Sequence, residues 1–200
     1  MVDLMRMWML CLMMCAASAW AMEPFIALPE PKVLKSKYSI FPKGAKFTVF
    51  TPAKQIEGRP GLAVYDEAEF KKLGISPESF IERAGTAADA RLATMQPEFI
   101  KDEAGKTRYA VFRGDSPLIA SLIVAPSLAK SFTTLFGEEL WAVLPDRNSL
   151  YIFPAKPEML EEFTADLAER YELSPYAASC EVFRIRANLP PEVVASFSDG

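Results

Sequence analysis

Residues 140–155 read LWAVLPDRNSLYIFPA, so Asp146, Arg147, Asn148 and Ser149 stand together between two apolar runs. A carboxylate beside a guanidinium and an amide could hold a ligand. The same residues also suit a hairpin turn, because Pro145 sets a bend and Asp and Asn side chains bond their own backbone. A binding role for Asp146, Arg147 and Asn148 needs partners converging from elsewhere in the chain. Asp115 is the fourth candidate, in Arg113-Gly114-Asp115-Ser116. That tripeptide matches an adhesion motif, but three residues arise often by chance, and the end of a strand followed by a turn accounts for them.

Other reactive groups are weaker. Glu138-Glu139 and Asp66-Glu67 are adjacent carboxylates of the kind acid–base catalysis uses, and such pairs are equally ordinary at a surface loop or helix start. A cysteine is a nucleophile only where a cation or helix start lowers its pKa; Cys180, on an apolar-looking strand, reads as a small buried hydrophobe. The chain has no histidine. That excludes Ser-His-Asp and Cys-His catalysis, histidine metal sites and imidazole pH sensing. There is no Walker loop, glycine-rich dinucleotide fingerprint or paired-cysteine zinc spacing, so no metal and no cofactor is expected.

The elements that must position these groups follow from periodicity and punctuation. KFTVFT at 46–51 has strand composition, and 62–65 suggests a second strand. In DEAEFKKLG, Asp66 can cap a short helix, Glu69 completes a capping box and Gly74 supplies the stop. Ser76 and Pro77 restart a helix whose apolar face runs through Phe80, Ala84, Ala88 and Leu92 to near Met95. DEAGK between β-prone runs predicts a hairpin over 99–112. Residues 118–125 are apolar and fit a strand or a buried helix. Ser127 is placed to cap a helix over 128–136. The runs 140–144 and 150–153 are apolar on both faces, as central strands are. A helix starting at Pro157 and a last strand over 180–186 complete an α+β order, with a mixed or antiparallel sheet, hairpins and several amphipathic helices.

The N-terminal region differs. Residues 7–15, MWMLCLMMC, form a short apolar run, and Ala19-Trp20-Ala21 fits a secretory cleavage site. The run is shorter than the roughly 20 residues that span a bilayer. Residues 1–21 are therefore expected to be a signal peptide cut near Ala21, with Ala17-Ser18-Ala19 as a nearby second site and an uncleaved anchor as the alternative. No stable membrane span would remain. Cys11 and Cys15 would leave with it, so Cys180 could form no intramolecular disulfide. Six prolines in 22–61 suggest an extended arm ahead of a single α+β domain at 62–200. The arm carries Lys32, Lys35, Lys37, Lys43, Lys46 and Lys54 with no acidic residue between them. It reads as a solvated linker or as an electrostatic contact with an anionic membrane or wall polymer. The net charge of −4 argues against nucleic acid as a partner.

Several ordered segments resemble the YtpQ-like family, a domain of unknown function. They are LAVYDEAEFKKLGISPESF, YAVFRGD, SLIVAPSLAKSF, LWAVLPDRNSLYIF and LSPYAASCEVFRI. The resemblance spans roughly two-thirds of the chain after residue 21 and implies a shared α+β fold. It transfers no catalytic residue. The expectation is an exported variant (periplasmic or secreted) that is a non-enzymatic binding or scaffolding domain of the cell envelope. Its partner would be a protein or other envelope component. A histidine-independent hydrolase acting on an envelope polymer through Asp115, Asp146 and Arg147 is the alternative.

Overall fold

The computed structural model describes residues 24–58 and 61–198; the expected signal peptide lies outside them. The fold is α+β, built on two antiparallel sheets. Strands β1 (Ile26–Pro31), β2 (Thr48–Gln55) and β3 (Leu62–Val64) form the smaller sheet in the order β1-β2-β3. The larger sheet contains β4 (Glu98–Lys101), β5 (Thr107–Arg113), β6 (Glu139–Val143), β7 (Ser149–Pro154), β8 (Glu181–Arg186) and β9 (Glu192–Ser196), in the order β4-β5-β7-β6-β8-β9. The helices are α1 (Glu67–Lys72), α2 (Pro77–Leu92), α3 (Leu128–Phe136), α4 (Pro157–Glu161) and α5 (Thr164–Leu173).

Strands β6 and β7 are the two middle strands, as their two apolar faces imply. Alternation sends Leu140, Ala142, Leu150 and Ile152 into one core, shared with Phe80 of α2 and Phe132 of α3. Val143, Tyr151 and Phe153 enter a second core under Leu160 of α4 and Leu167 of α5. The same geometry explains β8, where Phe183 breaks simple polar alternation: Val182 faces the second core and Phe183 the first. Helix α1 has both bonds of its capping box, with Glu69 N–H donating to Asp66 at 2.8 Å and Asp66 N–H to Glu69 at 3.4 Å. Ser76 caps α2 by accepting from Ser79 N–H at 3.1 Å.

Several expectations need correction. The first half of the proposed arm is part of the fold: Ile26, Ala27 and Leu28 are at most 1% exposed, and Ala27 belongs to the main core. The prolines fit because β1 is an edge strand, where a missing N–H costs no ladder bond, and Pro52 precedes the β2–β3 ladder that begins at Ala53. Of the two readings of 118–125 the buried helix holds, as a short 3₁₀ helix over Ala120–Val124. Ser127 does not cap α3, since its hydroxyl and N–H both donate to Asp89 of α2, at 2.7 and 2.9 Å. The helix from Pro157 breaks at Phe163, whose ring packs on Tyr109 and Phe153 while Arg108 pairs with Glu162 beside it. The strand over 180–186 is also not the last one. The chain turns at Asn188 (φ 57°), and β9 pairs back onto β8.

Candidate functional site

The polar tip of the β6–β7 hairpin is a turn fixed from every side. Asp146 accepts the Asn148 N–H at 2.8 Å, closing the local loop. Arg147 N–H donates to the Tyr176 carbonyl at 3.1 Å, and the Arg147 carbonyl accepts from Ala120 N–H at 3.2 Å. The Asn148 carbonyl accepts from Gly114 N–H at 3.2 Å. Thus the structure does bring the RGD turn to the hairpin tip, but through backbone. Asp115 itself is exposed, and its side chain makes no hydrogen bond or ion pair among the described residues. Arg113 pairs with Glu98 at 3.1 Å.

The Arg147 guanidinium turns inward and meets Glu30 of β1, with Nη2 to Oε1 at 2.7 Å. Glu30 is 4% exposed. Burial pushes its carboxyl above the usual range, opposed by the Thr51 hydroxyl and the Arg147 charge. The pair joins the two sheets, so it occupies the guanidinium that looked free for a ligand. Nothing in the sequence marks Glu30 as its partner: it sits between two prolines, 117 residues away.

The remaining candidates divide in the same way. Asp66 is the α1 cap, and Glu67 bridges Lys37 and Lys71, both at 2.8 Å. Those cations hold the Glu67 carboxyl down at about 2. Glu138 and Glu139 line an open cleft of about 490 Å³ with Lys130 and Arg186. Cys180 is fully buried behind Tyr171, whose phenol is pushed up to about 12 by burial and by the adjacent thiol. Among the described residues no group of three or more acidic, Cys or His side chains is placed to hold a metal ion.

A different surface carries exposed chemistry. The connection from β1 to β2, residues 32–47, begins with a 3₁₀ turn at Lys32–Leu34. Val33 is 87% exposed, Leu34 55% and Phe41 42%. The Lys32 and Lys35 ammonium groups lie 5.7 and 6.0 Å from the Phe41 ring centre. Beside them runs a cleft of about 470 Å³, lined by Pro31, Lys32, Val33, Lys35, Phe47 and Tyr171. Lys37 and Lys43 are paired with Glu67 and Glu192, at 2.8 and 2.9 Å. Lys32, Lys35 and Lys46 have no carboxylate partner within ion-pair distance among the described residues.

The loop is held firmly at its base. Lys32 N–H donates to the Phe47 carbonyl at 2.6 Å, and Ile40 bridges Phe50 of β2. Glu181 of β8, 1% exposed, accepts the N–H groups of Lys46 and Phe47 at 2.6 and 3.2 Å. Thr48 and Ser179 join hydroxyls at 2.6 Å next to it. The lysine run was visible in sequence; the exposure of Val33, Leu34 and Phe41 was not, since apolar residues read as core by default.

Comparison with protein-family models, curated proteins and solved structures finds no match to this chain.

Proposed function

We propose that this chain is an exported, non-enzymatic binding domain of the cell envelope, related in fold to the YtpQ-like family, and that it binds through the 32–47 loop. The observation that carries the proposal is the exposure of Val33, Leu34 and Phe41 on a loop held at its base, beside Lys32 and Lys35, which have no carboxylate partner among the described residues. Exposed apolar side chains grouped on a polar surface mark an interaction site. The competing reading, a histidine-independent hydrolase, would draw on Asp115, Asp146 and Arg147. Polar atoms of Asp146 and Arg147 serve the chain's own turn and sheet contacts, which leaves Asp115 alone and favours binding over hydrolysis.

A photo-reactive amino acid placed at Val33 in the native cell tests this. Adducts with an envelope component are expected from position 33 and not from Leu135 of α3, an equally apolar, 51% exposed control. Equal labelling at both positions would remove the support for the loop. Export is tested by the mass of the chain in the envelope fraction, which should correspond to a start at Met22. An unprocessed chain confined to the cytoplasm would defeat that part.

A further inference from the structure

We infer that the surface this loop meets is an anionic lipid bilayer; the inference rests on the binding reading above and names its occupant. Three features of the loop converge on that chemistry. First, Val33 and Leu34 project from a turn at 87% and 55% exposure, Val33 at the side of the open cleft described above. A protein partner would need a matching cavity to take them up, whereas the interfacial zone of a bilayer accepts apolar side chains without one. Second, the flanking charge has one sign. Residues 32–47 contain five lysines and no acidic residue, in a chain whose net charge is −4. Salt bridges occupy Lys37 and Lys43, leaving Lys32, Lys35 and Lys46 for phosphate headgroups. The acidic remainder of the molecule is repelled by the same surface, which orients the loop toward it.

Third, the cations sit where insertion needs them. The Lys32 and Lys35 ammonium groups lie 5.7 and 6.0 Å from the centre of the exposed Phe41 ring, so charge and apolar surface sit side by side on the loop. The base bonds from Glu181 and Phe47 fix this arrangement in advance, so little ordering is required on contact. An anionic wall polymer would use the lysines and leave Val33 and Leu34 in water. A lipid surface uses both. No described helix is long and apolar enough to cross a membrane.

The test is co-sedimentation of the chain, as isolated from the cells that process it, with vesicles. One set holds equal phosphatidylglycerol and phosphatidylcholine, the other phosphatidylcholine alone. Binding is expected to the anionic set, weakening as salt rises to physiological strength. Each lysine near such a surface is worth about fivefold, so K32A/K35A should weaken binding about 25-fold. V33D/L34D should abolish it while leaving the thermal transition in place, because both side chains are exposed in the folded state. A V33W variant should show emission quenched by brominated lipid. Equal binding to both vesicle sets, or undiminished binding by V33D/L34D, overturns the inference. So does retention on isolated anionic wall polymer without vesicle binding. If vesicles fail but the position-33 adduct is an envelope protein, the lipid assignment falls and the binding reading stands. If neither vesicles nor adducts are seen, both fall.

Discussion

Replacing Arg147 by methionine should destabilise the fold in a strongly pH-dependent way. The Arg147 side chain is 20% exposed and that of Glu30 5%, and their 2.7 Å contact joins the two sheets. Breaking a buried pair by removing one partner typically costs about 3–5 kcal/mol, because the other charge stays desolvated. Arg147 keeps some solvent contact, so the lower end, about 3 kcal/mol, applies near pH 8. Glu30 already has its carboxyl pushed up by burial, and loss of the guanidinium removes one of the two groups opposing that. A carboxyl whose folded pKa lies above its unfolded value contributes stability that is complete below the unfolded value and is lost as pH rises through the folded one. Below about pH 4.5 the lone Glu30 is neutral in both states, and only the lost packing of the arginine stem remains, roughly 1 kcal/mol.

The assay is urea unfolding of R147M and the unmodified chain at pH 4, 6 and 8, followed by far-ultraviolet circular dichroism. The difference in stability should grow from about 1 to about 3 kcal/mol across that range. At pH 8 this corresponds to a melting temperature lower by about 6–12 °C for a chain of this length. The double variant E30M/R147M removes both charges and should recover most of the loss at pH 8, since an apolar pair of similar volume is often as stable as the ion pair it replaces. A deficit that is the same at pH 4 and pH 8 would refute the buried-carboxylate reasoning. So would a double variant no more stable than R147M.

Three further outcomes follow from the packing. Deleting residues 24–31 should abolish cooperative unfolding by circular dichroism, because β1 supplies Ala27 to the main core and Glu30 to the inter-sheet pair; a deletion that melts like the parent would restore the arm reading. Gly44 has φ +81°, and an added Cβ would stand 2.5 Å from the Val193 carbonyl, so Gly44→Ala should lower stability by about 2 kcal/mol in urea titration. It should also speed exchange of the Val193 amide, which donates to Lys43. Glu192, held down at about 2 by Arg184 and Lys43, has the opposite pH sign to Glu30: its contribution is present above its unfolded value and lost as pH falls toward 2. An E192Q variant should therefore differ from the parent at neutral pH and converge with it in strong acid; a constant gap contradicts that assignment.

The parts of this fold that were legible in sequence are those decided locally. Asp66 and Glu69 share one turn, so the capping box is written in four residues. Residues 140–144 and 150–153 announce central strands because both faces are apolar, whatever covers them. The hairpin tip was legible as a turn for the same reason, since Asp146 bonds a backbone group two residues away. What failed depended on distant partners. Pro29, Glu30 and Pro31 look like an exposed arm until β2 and Arg147 are placed beside them, and Ser127 looks like a cap until Asp89 arrives from α2.

The 32–47 loop lies between these cases. Its charge was legible, because lysines without intervening acid residues need no structure to be counted. Its apolar residues fell into no helix or strand period, and that irregularity carries information. Val33, Leu34 and Phe41 cannot share one buried face of a regular element, so the chain must either bury them through irregular packing or leave them out. Tyr38 takes the first course, stacking on Phe70 with ring centres 4.1 Å apart. Val33 and Leu34 take the second. A lysine run in which apolar side chains fit no period therefore marks an exposed loop, and the anionic surface proposed for it rests on the sign of its charge.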